Sequence, residues 1–238
     1  MATQPLLQTL RDLSPTISVG ILTADLLSLG TELAAIETAG VKLVHVDVMD
    51  GVFCPMMTVG PPVIAAMRTP MLKDVHLMIA EPLAKLDRFV AAGADMVTVH
   101  VESTPHVHRA LQALGGMTNV NDPARGLLRG VALNPGTPIE AVEPLLDELE
   151  MVVLLAVNPG WGGQKFIPAT GRRIDRLREM LNRAETDVLV AVDGGVKRDN
   201  IAEIARMGLD IIVTGSAVFD GKAAADNARF MLDAVADA

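Results

Sequence analysis

A (β/α)8 TIM barrel is the fold this sequence predicts, on three observations. Eight short runs rich in Val, Ile and Leu recur along the whole chain, stretches of helical periodicity separate them, and the runs follow one another at steps of 22 to 36 residues, each about one βα unit long. Runs that are apolar throughout suit strands buried on both faces, and eight such units in about 250 residues is the usual extent of this barrel. At 238 residues the chain reads as one barrel domain over 1–238, with 1–15 as a short N-terminal extension.

The first run, Thr16–Gly20, precedes Asp25, which reads as the N-cap of a helix over Leu26–Ala39 that ends at Gly40. Leu43–Val48 is the second run and Val75–Met78 the third. The latter leads to a helix over Pro82–Ala92 starting at Glu81, with Pro82 in the first turn, where a missing N–H costs little, and Gly93 at the end. Met96–Val99 is the fourth run. The irregular stretch Gly115–Gly126 separates it from the fifth, Gly130–Leu133, and reads as a loop rather than a domain boundary. Ile139–Leu149, after Pro138, is the next helix. The sixth run is Met151–Val157, the seventh Val188–Val192 and the eighth Ile211–Thr214, with Gly208 closing the helix before it. A doubly wound open sheet is the main competitor, but Ser18-Val19-Gly20-Ile21-Leu22-Thr23 lacks the GxGxxG such a sheet would show after its first strand.

Composition narrows the function classes. With 20 Lys and Arg against 29 Asp and Glu, the net charge of -9 disfavours a non-specific grip on nucleic acid or anionic membranes. Aromatic residues are 3% of the chain and Tyr is absent, too few to stack single-stranded bases. No apolar run has the roughly 18 residues of a membrane span and no signal-like segment opens the chain, so a soluble cytoplasmic protein is expected. The one cysteine, Cys54, cannot form an intramolecular disulfide. A mean hydropathy of +0.36 hints at buried subunit surface and a homo-oligomer.

Barrel chemistry sits at the carboxyl ends of the strands, so polar residues interrupting those ends carry the argument. Alternation places His45 and Asp47 on one face of the second strand, the third contains His76 and the seventh ends in Asp193. Two imidazoles and two carboxylates at one mouth form a donor set for a divalent ion such as Zn, Fe, Mn or Co. An aliphatic strand ending in an acid is costly unless the acid is paired, hydrogen-bonded or metal-bound. His100 and Glu102 repeat the pattern at the fourth strand and suit a supporting layer, whereas His106 and His108 read as surface residues. A second group is glycine-rich: Asn158-Pro159-Gly160-Trp161-Gly162-Gly163-Gln164, Asp193-Gly194-Gly195-Val196 and Gly215-Ser216 follow the last three strands. Successive backbone N–H groups on such turns can cradle a phosphate, with a following helix N-terminus adding a favourable dipole. Together these parts predict a phosphorylated substrate anchored at one end, with carboxylates placed to remove a proton beside a carbonyl and return it from the other side.

These motifs resemble those of the ribulose-phosphate 3-epimerase family. The resemblance runs from Ile17 to about Phe219 and is carried by His45-Val-Asp-Val-Met-Asp-Gly51, Asp74-Val-His-Leu-Met78, His100-Val-Glu102, Leu133-Asn-Pro135, Val157-Asn-Pro-Gly-Trp-Gly-Gly-Gln-Lys-Phe-Ile-Pro168, Val192-Asp-Gly-Gly-Val196 and Gly215-Ser216. It implies a ribulose-phosphate binding barrel that interconverts D-ribulose 5-phosphate and D-xylulose 5-phosphate through a metal-bound enediolate. By residue match it implies that His45, Asp47, His76 and Asp193 bind the metal and that Asp47 and Asp193 are the acid/base pair. Gly160, Trp161, Gly162, Gly163, Gly194, Gly195, Gly215 and Ser216 would line the substrate and phosphate loops, Met49 and Met78 the reactive centre. Dimers or higher assemblies are also implied.

Three positions depart from the family pattern: Gly20 stands where a substrate-contacting serine is usual, Met56 where a polar loop residue is usual, and Leu155 where a third methionine is expected. The sequence therefore leaves open a 3-epimerase of another ketose phosphate, such as D-allulose 6-phosphate, and a catalytically silent sugar-phosphate binder. An aldolase or decarboxylase would ordinarily want a lysine at a strand end, and Lys42, Lys73 and Lys165 do not fill that place.

Overall fold

The computed structural model describes residues 5–238. Eight parallel strands pair in sequence order and β8 closes back onto β1, forming a barrel. They are β1 (Thr16–Gly20), β2 (Leu43–Met49), β3 (Leu72–Met78), β4 (Met96–His100), β5 (Leu128–Leu133), β6 (Met151–Leu155), β7 (Leu189–Asp193) and β8 (Ile211–Thr214). The α-helices are α1 (Pro5–Leu13), α2 (Leu29–Thr38), α3 (Pro61–Ala66), α4 (Leu86–Ala91), α5 (Val107–Gly115), α6 (Thr170–Ala184), α7 (Ile201–Ala205) and α8 (Ala224–Ala236). Among the described residues, no helix is long and apolar enough to cross a membrane.

Strand alternation divides the apolar residues into two layers. Outward Val, Ile and Leu side chains such as Val44, Val46, Val75, Leu77, Val97 and Val99 join the helices in one large core. Inward residues at the strand starts, Leu43, Leu72, Met96, Leu128, Met151, Leu189 and Ile211, cluster with Leu6, Leu7 and Leu10 of α1. The segment expected as a plain extension is thus a helix that plugs the N-terminal end of the barrel, and Arg11 ties it to Asp187 and Asp210 at 2.6 and 2.8 Å. The apolar plug leaves the other end for polar side chains.

Several helices are tighter than the periodicity predicts. Asp25 does cap its helix, accepting from the Leu27 N–H at 3.0 Å, but Leu26–Ser28 is a 3-10 turn ahead of α2. Pro82–Lys85 is likewise 3-10 before α4, and Ile139–Glu148 is 3-10 throughout, with Pro144 inside it removing a donor that an α-helix would need. Gly40, Gly93 and Gly208 all take positive φ, as expected at helix ends. Strand β3 begins three residues earlier than its apolar run, which places Lys73 inside the strand rather than before it. Strand β6 stops at Leu155, short of Val157: Ala156 still donates to the Asp193 carbonyl of β7, but its own carbonyl accepts from the Ile167 N–H instead of from β7.

Candidate active site

Register fixes which side chains meet at the open end. On β2 and β3, His45 stands opposite Asp74, Asp47 opposite His76, and Met49 opposite Met78; on β6 and β7, Leu155 stands opposite Asp193. The barrel then brings β7 round to β2, so that one donor atom from each of His45, Asp47, His76 and Asp193 lies within 4.8 Å of all the others. His45 Nε2 is 3.2 Å from Asp47 Oδ1 and 3.9 Å from Asp193 Oδ2; His76 Nδ1 is 3.4 and 3.3 Å from the same two oxygens. Both imidazoles are buried, and the two carboxylates border the cavity.

Hydrogen bonds behind the imidazoles assign their protons. His45 Nδ1 lies 2.7 Å from Asp74 Oδ2, which also accepts from Ser18 Oγ at 2.9 Å. An ionised carboxylate only accepts, so Nδ1 carries a hydrogen and Nε2 is free to face Asp47 and Asp193. His76 Nε2 lies 2.9 Å from His100 Nε2, with the rings stacked, and His100 Nδ1 lies 3.0 Å from Glu102 Oε2. Burial pulls the pKa of His100 down to about 4 despite Glu102, so this ring is neutral, donates to Glu102 and accepts from His76. Glu102 is held in turn by the Asn134 N–H at 2.8 Å and by the Thr137 hydroxyl.

Two nitrogen lone pairs thus point at two carboxylates, an arrangement that needs positive charge between them. His76 Nδ1 is buried and makes no hydrogen bond. Burial alone would disfavour protonation of both rings, yet Asp74 and Asp47 raise the pKa of His45 well above its ordinary value, and Asp193 and Asp47 raise that of His76. Burial likewise opposes ionisation of Asp47, but His45 and His76 outweigh it and hold this carboxyl far below the usual carboxylate range. Protons can relieve the conflict; a divalent ion would do so with all four donors at once. The mixed nitrogen and oxygen set fits Zn, Fe, Mn or Co.

Two adjoining cavities share Leu22, Asp47, Val157, Trp161 and Asp193. One, of about 130 Å³, is walled by Met49, Met56, Met78 and Leu155. The other, of about 180 Å³, is bordered by Gly163, Gly194, Gly195, Gly215 and Ser216. At Gly195, φ is +72° and a Cβ would run into the Phe166 backbone, so the turn there demands glycine.

The structure brings every predicted site residue to this mouth, but it divides the glycine group. Gly163 borders the polar cavity, whereas Gly160 and Gly162 border the methionine-lined one, and Gly160 packs directly on Cys54 and Pro55. Cys54 is buried with Met49 and Met78, which gives it a packing role beside the site. No regular helix follows Gly194-Gly195 or Gly215-Ser216 directly: α7 starts only at Ile201, and Gly215 to Phe219 form a hydrogen-bonded turn. The anticipated helix dipole is therefore missing, and anion binding there falls to backbone N–H groups. His106 and His108 are exposed, as expected.

Three residues that the sequence does not assign to the site support it: Asp74, Ser18 and Thr58. Thr58 Oγ1 donates to the Asp47 carbonyl at 2.6 Å and accepts from the Met49 N–H at 2.9 Å, pinning the end of β2. The available signal was alternation: Asp74 is two residues before His76, on the same face.

The model of the ribulose-phosphate 3 epimerase family matches residues 16–219. A curated protein from Rhodobacter capsulatus named ribulose-phosphate 3-epimerase is 45% identical over 212 residues, covering 88% of each chain. One of the same name from Bacillus subtilis (strain 168) is 40% identical over 206 residues, 85% of this chain and 91% of the other. The chloroplastic ribulose-5-phosphate-3-epimerase of Arabidopsis thaliana is 42% identical over 87% of this chain and 72% of its own. Among solved structures, KGPDC from Streptococcus mutans in complex with D-R5P superposes with a TM-score of 0.70 at 16% identity, over 94% of this chain and 98% of the other, a likeness of fold.

Proposed function

Because this chain belongs to the ribulose-phosphate 3-epimerase family, we propose that it inverts C3 of a phosphorylated ketose, D-ribulose 5-phosphate ⇌ D-xylulose 5-phosphate, by two-base proton transfer. The observation that carries this reading is the pair of carboxylates, Asp47 from β2 and Asp193 from β7, both within 3.4 Å of His76 Nδ1 and both facing the cavities. One ionised carboxylate takes the C3 proton, leaving the substrate as its enediolate, and the other, protonated at the start, returns a proton to the opposite face. The two have then exchanged protonation states, as a reversible epimerase requires. A divalent ion held by His45, Asp47, His76 and Asp193 would supply a Lewis acid that stabilises negative charge on the substrate oxygens.

The chain's own groups do the remaining work. Asp74 and the His100–Glu102 pair hold the two imidazoles in the tautomers described. Backbone N–H groups at Gly194, Gly195, Gly215 and Ser216 receive the substrate phosphate, and Met49, Met78 and Leu155 wall the reactive carbons away from water. Proton NMR of D-ribulose 5-phosphate in D2O with metal-loaded protein tests the reading: C3–H should exchange while xylulose 5-phosphate appears.

A second substrate, another ketose phosphate such as D-allulose 6-phosphate, is favoured by one feature. A Cβ at Gly20 would make only ordinary contacts, 3.7 Å from Gly215 Cα and 4.0 Å from Asp47 Oδ2, so glycine there leaves room beside the base. Faster exchange with allulose 6-phosphate than with ribulose 5-phosphate would select it.

A further inference from the structure

The opposite end of the barrel holds a larger cavity, of about 500 Å³, between the α3–β3 loop, the start of β3 and the α5–β5 loop. Arg68, Lys73 and Arg125 line it with one acid, Asp95. That acid is already committed. Its Oδ1 accepts from Arg125 at 2.6 Å, Asn119 at 3.0 Å and Asn121 at 3.1 Å, and its Oδ2 accepts from the Lys73 backbone N–H at 2.9 Å.

Asp95 therefore balances Arg125 and leaves two cations over. Arg68 makes no ion pair among the described residues. Lys73, only 7% exposed, donates from Nζ to the Ile64 carbonyl at 3.0 Å and has further N–H donors to give. Arg125 Nε is buried without a hydrogen-bond partner. Burial, together with the nearby charge of Arg68, pushes the Lys73 pKa down even though Asp95 opposes it, so like charges are held close in a partly desolvated hollow. In a chain of net charge -9 this concentration of cations is a local feature, not a spill-over from composition.

We propose that this N-terminal hollow is a second anion site, in which Arg68, Lys73 and Arg125 bind the phosphate group of a small molecule. Guanidinium and ammonium donors around one void suit a tetrahedral oxyanion, and the volume falls within the usual ~300–1,000 Å³ of small-molecule pockets, with room for more than a bare ion. The chemistry is that of phosphate, free or esterified.

Calorimetric titration of the full chain at low ionic strength, with inorganic phosphate and separately with glycerol 3-phosphate, tests the site. The titrations run in a Ser216→Glu background, which places negative charge at the catalytic mouth; binding should persist there. Adding Arg68→Glu, an exposed position, should weaken it by about ten-fold or more, the loss expected for a charge-assisted hydrogen bond. Lys73→Gln should weaken it independently. Tighter binding of the ester than of phosphate identifies a phosphorylated metabolite as ligand, and equal binding identifies inorganic phosphate. No binding in the Ser216→Glu background, or binding unchanged by Arg68→Glu in a folded protein, overturns the proposal. If Ser216 plays no part in substrate binding, Ser216→Glu will titrate like the unaltered chain, and the Arg68 comparison still decides.

Discussion

Replacing Asp74 with Asn tests whether the protein fixes the histidine tautomer from behind the site. Asp74 is 2% exposed, its Oδ2 takes both the His45 and Ser18 hydrogens, and its Oδ1 has no partner. The substitution conserves shape but replaces one carboxylate oxygen with an NH2 group. If the amide nitrogen faces His45, the ring must take the other tautomer, and Nε2 then carries a hydrogen where a ligand lone pair is needed. If the amide oxygen faces it, the tautomer survives but the ring loses its negative partner and becomes a weaker donor. Loss of such a partner costs about 10- to 100-fold in metal affinity, or roughly 1.4–2.7 kcal/mol. Metal content measured at a series of buffered free-ion concentrations would give the shift, and 15N chemical shifts of the His45 ring would report the tautomer without reference to turnover. Wild-type metal affinity together with an unchanged ring spectrum would refute the reasoning.

Asp47→Asn and Asp193→Asn should each lower the rate of epimerisation on the order of 10³-fold, because each removes a proton carrier; near-normal turnover in either would sink the two-base reading. In chelator-treated protein, the raised pKa values of His45 and His76 contribute stability that is fully present below the unfolded value of 6.5 and is lost as pH rises through the folded values. The Tm of that protein should therefore fall with rising pH while added Mn or Zn reverses the trend, since protons and ion compete for the same nitrogens; a Tm that rises with pH in chelator contradicts this. Gly195→Ala should cost about 1–3 kcal/mol in denaturant unfolding, because φ is positive and the Cβ meets Phe166 backbone, whereas Gly162→Ala, with open space around it, should be nearly neutral. Trp161 is 60% exposed and borders both cavities, so substrate should change its fluorescence; a silent titration counts against this loop's role.

The parts of the site carried by strand ends were legible because alternation and apolar runs are local signals. His45, Asp47, His76 and Asp193 each interrupt such a run, and closure of the barrel does the rest. Asp74 and Lys73 were harder to place, since two charged residues ahead of Val75 look like a strand boundary rather than its buried first half. Ser18 and Thr58 owe their roles to partners 56 and 11 residues away, which no local pattern reveals. The Ile139–Glu148 segment shows the apolar spacing of an α-helix, but Pro144 and the short path from β5 to β6 draw it into the tighter 3-10 form. The division of labour between Gly160 and Gly163 depends on the Cys54-Pro55 loop pressing against one of them.

The order of the strands has a bearing on synthesis. His45, Asp47 and His76 are all present once β3 has been made, but Asp193 arrives with β7, and β7 reaches β2 only through β8 and β1. A nascent chain stopped before the last two strands holds three donors and no closed cage to set them in. An ion that needs all four then binds the finished barrel and not its precursors, and its binding free energy is added to the stability of the closed form alone. Were the four residues to hold such an ion, its retention would report ring closure and separate molecules with an open seam from complete ones.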